Sequence, residues 1–233
     1  MSTPLGKSAR LADAIARIPS GATIMVGGFG SPGTPFALLE ELLAQGQREL
    51  TLIKNDANEP SVGIGPLIAA GRVRRLITSH IGLNPEAVER MNDGRLEVEI
   101  HPQGLLAEKI RCAGAGHYGF LTDIGVATEI AARRRELVID DQTWAIEPAL
   151  TADFALIHAD MADEIGNLRY RATAINFNPL MAMAANHVIA QTHQLLPAGA
   201  LEPASVHTPA AFVDEVIDTP SETSERGLRV RVA

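Results

Sequence analysis

The stretch Thr23-Ile24-Met25-Val26-Gly27-Gly28-Phe29-Gly30-Ser31-Pro32-Gly33-Thr34-Pro35 decides the fold. Its first four residues are apolar or β-branched and read as a short strand buried on both faces. A glycine-rich loop follows, and Pro35 opens a helix as its N1 residue. That helix runs to Ala44 and carries Leu38, Leu39, Leu42 and Leu43 on one face. The same order then recurs. Leu50–Ile53, Val73–Thr78 and Leu96–Ile100 read as strands, and Pro66–Ala70, Pro85–Met91 and Gln103–Cys112 as helices. Strand starts at 23, 50, 73 and 96 are 23 to 27 residues apart, with no sequence identity between the units. This is βα rhythm with short connections, which implies right-handed parallel crossovers. The predicted fold class is α/β: an open, mainly parallel sheet flanked by helices.

The second half is less regular. Glu136–Ile146 reads as a small β-hairpin turning at Asp140-Asp141. Asp153–His158 reads as a buried strand, and Gly166-Asn167 as a turn into a strand over Leu168–Arg171. Asn178–Ala185 is expected to be a helix and His187–Gln191 a strand. Residues 218–233, rich in Ser, Thr, Glu and Arg, read as a mobile tail, which leaves 1–217 as a single domain.

Composition narrows the function. The 233 residues include 20 Lys and Arg against 28 Asp and Glu, a formal charge of −8. A chain of that length buries a core without staples. An acidic surface argues against a nucleic-acid partner, whose phosphates need a basic face. The single cysteine, Cys112, excludes a disulfide framework and a Cys-built zinc site, and fits a reducing, cytoplasmic compartment. On a helix among apolar neighbours it reads as a small buried hydrophobe. No apolar signal region follows the charged Met1–Arg10. The uncharged stretch 172–201 is interrupted by Asn, Gln, His and Pro, so no membrane span is expected. No two histidines stand four residues apart, and no metal site is expected. Arg133-Arg134-Arg135 reads as a solvated face.

In an open parallel sheet, ligands bind beyond the carboxyl ends of the strands. Four polar or glycine-rich clusters fall there: Gly27–Pro35, Lys54-Asn55-Asp56-Ala57-Asn58, Ser79-His80-Ile81-Gly82 and His101-Pro102-Gln103-Gly104. Any one of them alone fits an ordinary βα loop; four on one edge point to a shared site. Gly28-x-Gly30-x-x-Gly33 matches a dinucleotide fingerprint, and Asp56, 23 residues after Gly33, stands where a ribose-binding acid is expected. Pro32 and Pro35 weaken that reading, because each removes an amide that a pyrophosphate would use.

A wider set of residues resembles the alpha subunit of family I CoA-transferases. Gly21, then Ile24-Met25-Val26-Gly27-Gly28-Phe29-x-x-x-Gly33-x-Pro35, is similar to that family's signature. Asn55 follows the second strand, as in that family, and Gly63–Ile68, Gly71–Arg74 and Ser79-His80-Ile81-Gly82-x-Asn84-Pro85-Glu86 resemble its acetate/acetoacetate branch. So do Pro102-Gln103-Gly104-x-Leu106-x-Glu108-x-Ile110-Arg111, Gly114-Ala115-Gly116, Gly166-Asn167-Leu168-x-Tyr170 and Asn176-Phe177-Asn178. Where the family has Thr-Pro-Gly this chain has Thr208-Pro209-Ala210, which predicts a different local backbone.

The resemblance implies a reaction that moves CoA between two carboxylic acids, with acyl-CoA as substrate and no permanently bound cofactor. The family's covalent glutamate lies in a Ser-Glu-Asn-Gly motif of the beta subunit, and no Glu-Asn-Gly occurs in this chain. The resemblance therefore implies half of an active centre, completed by a CoA-transferase beta subunit in an α2β2 assembly. By the same resemblance Gln103 supports an oxyanion and Asn55 orients the reacting carboxylate. Gly28, Phe29, Gly30 and Gly33 approach the acid or acyl group, with His80 and Gly104 on the same edge. Gly114 and Gly116 allow close approach of partner or substrate, or form a turn. The alternative is a sugar-phosphate-binding or NAD-binding domain of related architecture.

Overall fold

The computed structural model describes residues 6–130, 132 and 134–219. After a short helix α1 (Leu11–Ile15), the chain runs β1 (Thr23–Val26), α2 (Phe36–Gln45), β2 (Leu50–Ile53), α3 (Gly65–Ala69), β3 (Val73–Thr78), α4 (Pro85–Asn92), β4 (Glu97–Ile100) and α5 (Gln103–Gly114). It continues through β5 (Gly119–Thr122), β6 (Glu136–Ile139), β7 (Gln142–Pro148), β8 (Ala152–Asp163), β9 (Leu168–Arg169), α6 (Asn178–Ala184), β10 (Ala185–Leu196) and β11 (Glu215–Asp218). The large sheet has the order β11-β10-β8-β1-β2-β3-β4, all parallel, with β9 antiparallel on β8. A separate antiparallel sheet has the order β5-β7-β6.

Strand period explains the two-sided core. In β1, Ile24 and Val26 enter one hydrophobic cluster and Met25 the other. Leu52 and Ile53, then Leu76 and Ile77, divide the same way. The first cluster holds Leu38 and Leu42 of α2, Leu67 of α3 and Ala87 of α4; the second holds Leu106 and Ile110 of α5 and Met181 of α6. The chain thus steps β1 to β4 in one direction with its helices on one face. It then reverses, and α5 lies on the other face. A right-handed crossover demands that change of face when the direction changes.

Local chemistry sets the helix ends. Gly46 ends α2 in the left-handed conformation at φ 85°. Asn84 caps α4, its side chain accepting from Ala87 N at 3.0 Å, with Pro85 as the first helical residue. Pro35 is the N-cap of α2 rather than its first helical residue, so the helix begins at Phe36, one position later than expected.

Several expected boundaries move. β8 and β10 have twelve residues each and stay paired as far as Asp163 with Leu196. The polar residues beyond His158 and Gln191 hid that length. They belong to a ribbon that outruns β1, whose pairing with β8 ends at Val26–Leu156. The hairpin at Asp140-Asp141 is present, with φ of 50° and 60°, but it gains β5 as a third strand on β7. The strand expected over 168–171 is two residues long. Ala210 opens a 3-10 turn and has no positive φ, so the alanine is unstrained there. The tail expected from residue 218 starts inside β11, and Thr219 N still donates to Thr192 O at 2.9 Å; residues 220–233 lie outside those described. Arg134 is not solvated: its Nη1 lies 2.5 Å from Glu147, which also takes Lys109 Nζ at 3.0 Å. Arg135 is exposed, and Arg133 lies outside the described residues. Cys112 is 2% exposed, and burial pushes its thiol pKa up.

Candidate active site

Parallel pairing of β1 to β4 puts the four polar clusters on one edge, beside the switch point between β1 and β8. Gly28 is required in the first loop. Its φ is +102°, and a Cβ there would lie 2.2 Å from Thr34 Oγ1 and 2.9 Å from Thr34 N.

A chain of hydrogen bonds links the clusters. Gln103, exposed at the start of α5, has its Oε1 3.5 Å from Ser79 Oγ. Ser79 Oγ also lies 2.7 Å from the Asn55 carbonyl and 3.4 Å from Asn55 Oδ1. Asn55 is buried, and its Nδ2 donates to Asp56 Oδ2 at 3.1 Å. That same oxygen accepts from Gly30 N at 2.7 Å, and Asp56 Oδ1 from Asn58 N at 2.7 Å. The structure therefore brings together Gln103, Asn55 and the Gly28–Gly33 loop. Phe29 is 48% exposed at its tip. His80 is exposed just after β3, where its backbone bridges Asp56. Gly104 follows Gln103 in the first turn of α5, with open space where a Cβ would be.

Gly114 and Gly116 are not brought to this edge. Gly114 lies at the far end of α5, roughly 16 Å along the axis from Gln103. A Cβ on Gly114 would come within 2.6 Å of Met183 Cβ, so this glycine lets α5 close on α6. Gly116 turns the chain after α5 with φ +74°.

The loop is held by Lys54, Asp56, Asn58 and Asn178, a role that their sequence pattern did not assign. Lys54 is fully buried, with Nζ 3.4 Å from Gly27 O, 3.4 Å from Gly30 O and 3.3 Å from Thr34 Oγ1. Burial lowers its pKa to about 8, against the opposing pull of Asp56. For Asp56, burial favours the neutral form. Lys54 and the bonds from Asn55, Gly30 and Asn58 outweigh burial, and its pKa falls below the ordinary value. Asn58 Nδ2 donates to Gly30 O at 3.0 Å, and Asn178 Nδ2 to Gly33 O at 3.1 Å. A lysine directly after a strand buried on both faces was the available signal for Lys54.

This arrangement argues against the dinucleotide reading. Both Asp56 oxygens are spent inside the loop, so no carboxylate is offered to a ribose. The Gly30 amide is spent on Asp56. Among the described residues, no group of three or more His, Cys, Asp or Glu side chains is placed to hold a metal, and no helix is long and apolar enough to cross a membrane.

Fold and site define an open α/β protein that presents amide donors, an amide side chain and no committed nucleophile at its switch point. Comparison with known proteins gives that class its name. The Coenzyme A transferase family matches residues 8–219, and the chain belongs to that family. It is 49% identical over 207 residues to the acetate CoA-transferase subunit alpha of Escherichia coli (strain K12), covering 89% of this chain and 94% of the relative. It is 46% identical over 215 residues to a probable coenzyme A transferase subunit alpha of Bacillus subtilis (strain 168), covering 92% and 94%. The fold matches the acyl-CoA transferase YdiF of Escherichia coli O157:H7 with TM-score 0.82 at 23% identity, over 94% of this chain and 48% of that longer one.

Proposed function

We propose that this chain is the alpha subunit of a cytoplasmic CoA-transferase that exchanges CoA between acetyl-CoA and a short-chain carboxylic or 3-oxo acid. Its partner is a beta subunit carrying the covalent glutamate in a Ser-Glu-Asn-Gly motif, in an α2β2 assembly. The observation that carries the reading is the continuous Gln103–Ser79–Asn55–Asp56–Gly30 network at the switch point, in a chain with no Glu-Asn-Gly of its own.

The chemistry divides one exchange into easier steps. The partner's glutamate carboxylate attacks the thioester carbonyl; the C–S bond breaks, CoA leaves as thiolate and an acyl-glutamyl anhydride forms. The thiolate then attacks the glutamyl carbonyl, releasing the first acid and leaving a glutamyl-CoA thioester. The second acid attacks that thioester, and the sequence runs in reverse. Each addition places negative charge on a carbonyl oxygen. Gln103 supplies its Nε2 donor there, because only its Oε1 is engaged by Ser79. Gly104 adds an amide of the first helical turn. Asn55 acts through Ser79 and Asp56, fixing the floor against which the reacting carboxylate is oriented. The Gly28–Gly33 loop offers backbone amides to the acid.

The test is reconstitution. The chain alone is expected to be inert, and addition of the beta subunit to give transfer from acetyl-CoA to acetoacetate or butyrate. Gln103→Ala in the assembled complex is expected to lower turnover by roughly 10²-fold with assembly intact, and Asn55→Ala by less. Turnover by the chain alone, or an unchanged Gln103→Ala complex, overturns the assignment.

A further inference from the structure

Lys54 is fully buried, and none of the steps above uses it. Burying an ammonium is costly unless its charge is met. Among the described residues none of the ion pairs within 4.0 Å includes Lys54. The charged group acting on it is Asp56, from a longer distance, and both Asp56 oxygens already accept other donors. The atoms facing the ammonium from the loop are uncharged: Gly27 O, Gly30 O and Thr34 Oγ1.

Peptide geometry gives those two carbonyl contacts a consequence. The peptides are trans, so the N–H after each carbonyl points the opposite way. With Gly27 O and Gly30 O turned toward Lys54, the N–H groups of Gly28 and Ser31 point away from it. Among the described residues neither N–H has an acceptor. Neighbouring amides in the loop do: Gly27 N donates to Leu156 O at 2.9 Å, Phe29 N to Pro32 O at 3.1 Å and Gly30 N to Asp56 at 2.7 Å. Gly28 is itself buried, and a buried N–H calls for a partner. Further donors lock the Gly30 carbonyl in the same orientation, Thr34 Oγ1 at 2.7 Å and Asn58 Nδ2 at 3.0 Å.

We propose that Lys54 is a positioning residue for an anion subsite: its ammonium fixes two peptide planes so that the Gly28 and Ser31 amides bind the carboxylate of a short-chain acid. The proposal rests on the CoA-transferase reading for the identity of that acid. Lys54 does not touch the acid. It acts through the two peptides, and it adds positive potential beneath them. Carboxylate binding and protonation of Lys54 are then linked, each favouring the other. The ammonium is present at neutral pH and is lost as pH rises through about 8.

The experiment uses the assembled complex with wild-type chain and with Lys54→Met, which keeps the length and removes the charge. The expected result for Lys54→Met is a KM for the acceptor acid about tenfold higher, with kcat and the acyl-CoA KM changed far less and thermal stability not lowered. In the wild type the acid's KM is expected to climb above about pH 8, while the variant's shows no such step. A second readout needs no turnover. With this chain labelled with 15N, acetate is expected to shift the Gly28 and Ser31 amide resonances in the wild type and far less in Lys54→Met. Wild-type amides indifferent to acetate, or an unchanged acid KM in Lys54→Met, overturn the proposal. A complex that moves no CoA to any short-chain acid, yet whose two amides respond to acetate, refutes the functional reading and leaves the subsite standing.

Discussion

Two buried lysines in this chain meet opposite fates. Lys109 of α5 is 5% exposed and faces Glu147 of β7 at 3.0 Å, and Arg134 closes on the same carboxylate. That cluster ties the small antiparallel sheet to α5, and its charges are consumed in doing so. Among the described residues Lys54 has no such partner within 4.0 Å, and it spends its contacts on two backbone carbonyls and the Thr34 hydroxyl. The contrast separates a charge used for cohesion from one held ready beneath a binding loop. A buried lysine is thus not one kind of feature; its nearest acceptors decide what it does.

The contrast breaks most readily at Glu147. Glu147→Ala leaves Lys109 and Arg134 buried without a carboxylate, and urea unfolding is expected to show a loss of about 3–5 kcal/mol. A loss under about 1 kcal/mol would put the cluster among ordinary surface pairs and dissolve the comparison. Lys109→Met is milder, because Arg134 still pairs with Glu147; a loss of about 1–2 kcal/mol is expected by the same unfolding curve. Lys54→Met is expected to have the opposite sign at pH 7, a gain of at most about 1 kcal/mol, since a desolvated charge disappears and Asp56 keeps its three hydrogen bonds. A clear loss there would mean that the Lys54 charge also serves cohesion.

The comparison is sharpened further through pH. The folded pKa of Lys54, about 8, lies below its ordinary 10.5. Between those values the unfolded chain binds more protons, so stability rises with pH across that window. Unfolding curves at pH 7.5 and 10 are expected to show this increment in the wild type, and its absence in Lys54→Met. Identical pH dependence in the two proteins would show that Lys54 titrates as it does in water.

The fold was legible because β1 and β2 are short apolar or β-branched runs, β3 ends on Leu76-Ile77-Thr78, β4 alternates Val98 and Ile100 with glutamates, and glycine or proline stands at each helix boundary. β8 and β10 were read too short. Asp160, Asp163, His193 and Gln194 look like loop residues until the two strands are seen to pair beyond the sheet edge. β5 was missed because Gly119–Thr122 is four residues long and finds its partner 26 residues later, at Ala145–Pro148. In the site, Gln103, Asn55 and the glycine loop were visible from their places after strands. Lys54 was visible only as a member of the polar cluster after β2, with no role assigned to it. Only the folded loop shows two carbonyls turned toward it. Gly114 and Gly116 show the limit of pattern without distance, since neither glycine reaches the edge that holds Gln103.

The division of each strand between two hydrophobic clusters has a genetic consequence. Ile24 and Val26 serve one side of the sheet and Met25 the other. Losing one codon ahead of Ile24 within β1 would move every following side chain to the wrong side until the chain reached the loop. The same loss among residues 127–130, exposed in the segment after β5, would disturb no layer. In-frame deletions should therefore survive selection at 127–130 and vanish from β1, a pattern that a library of single-codon deletions would reveal without any assay of chemistry.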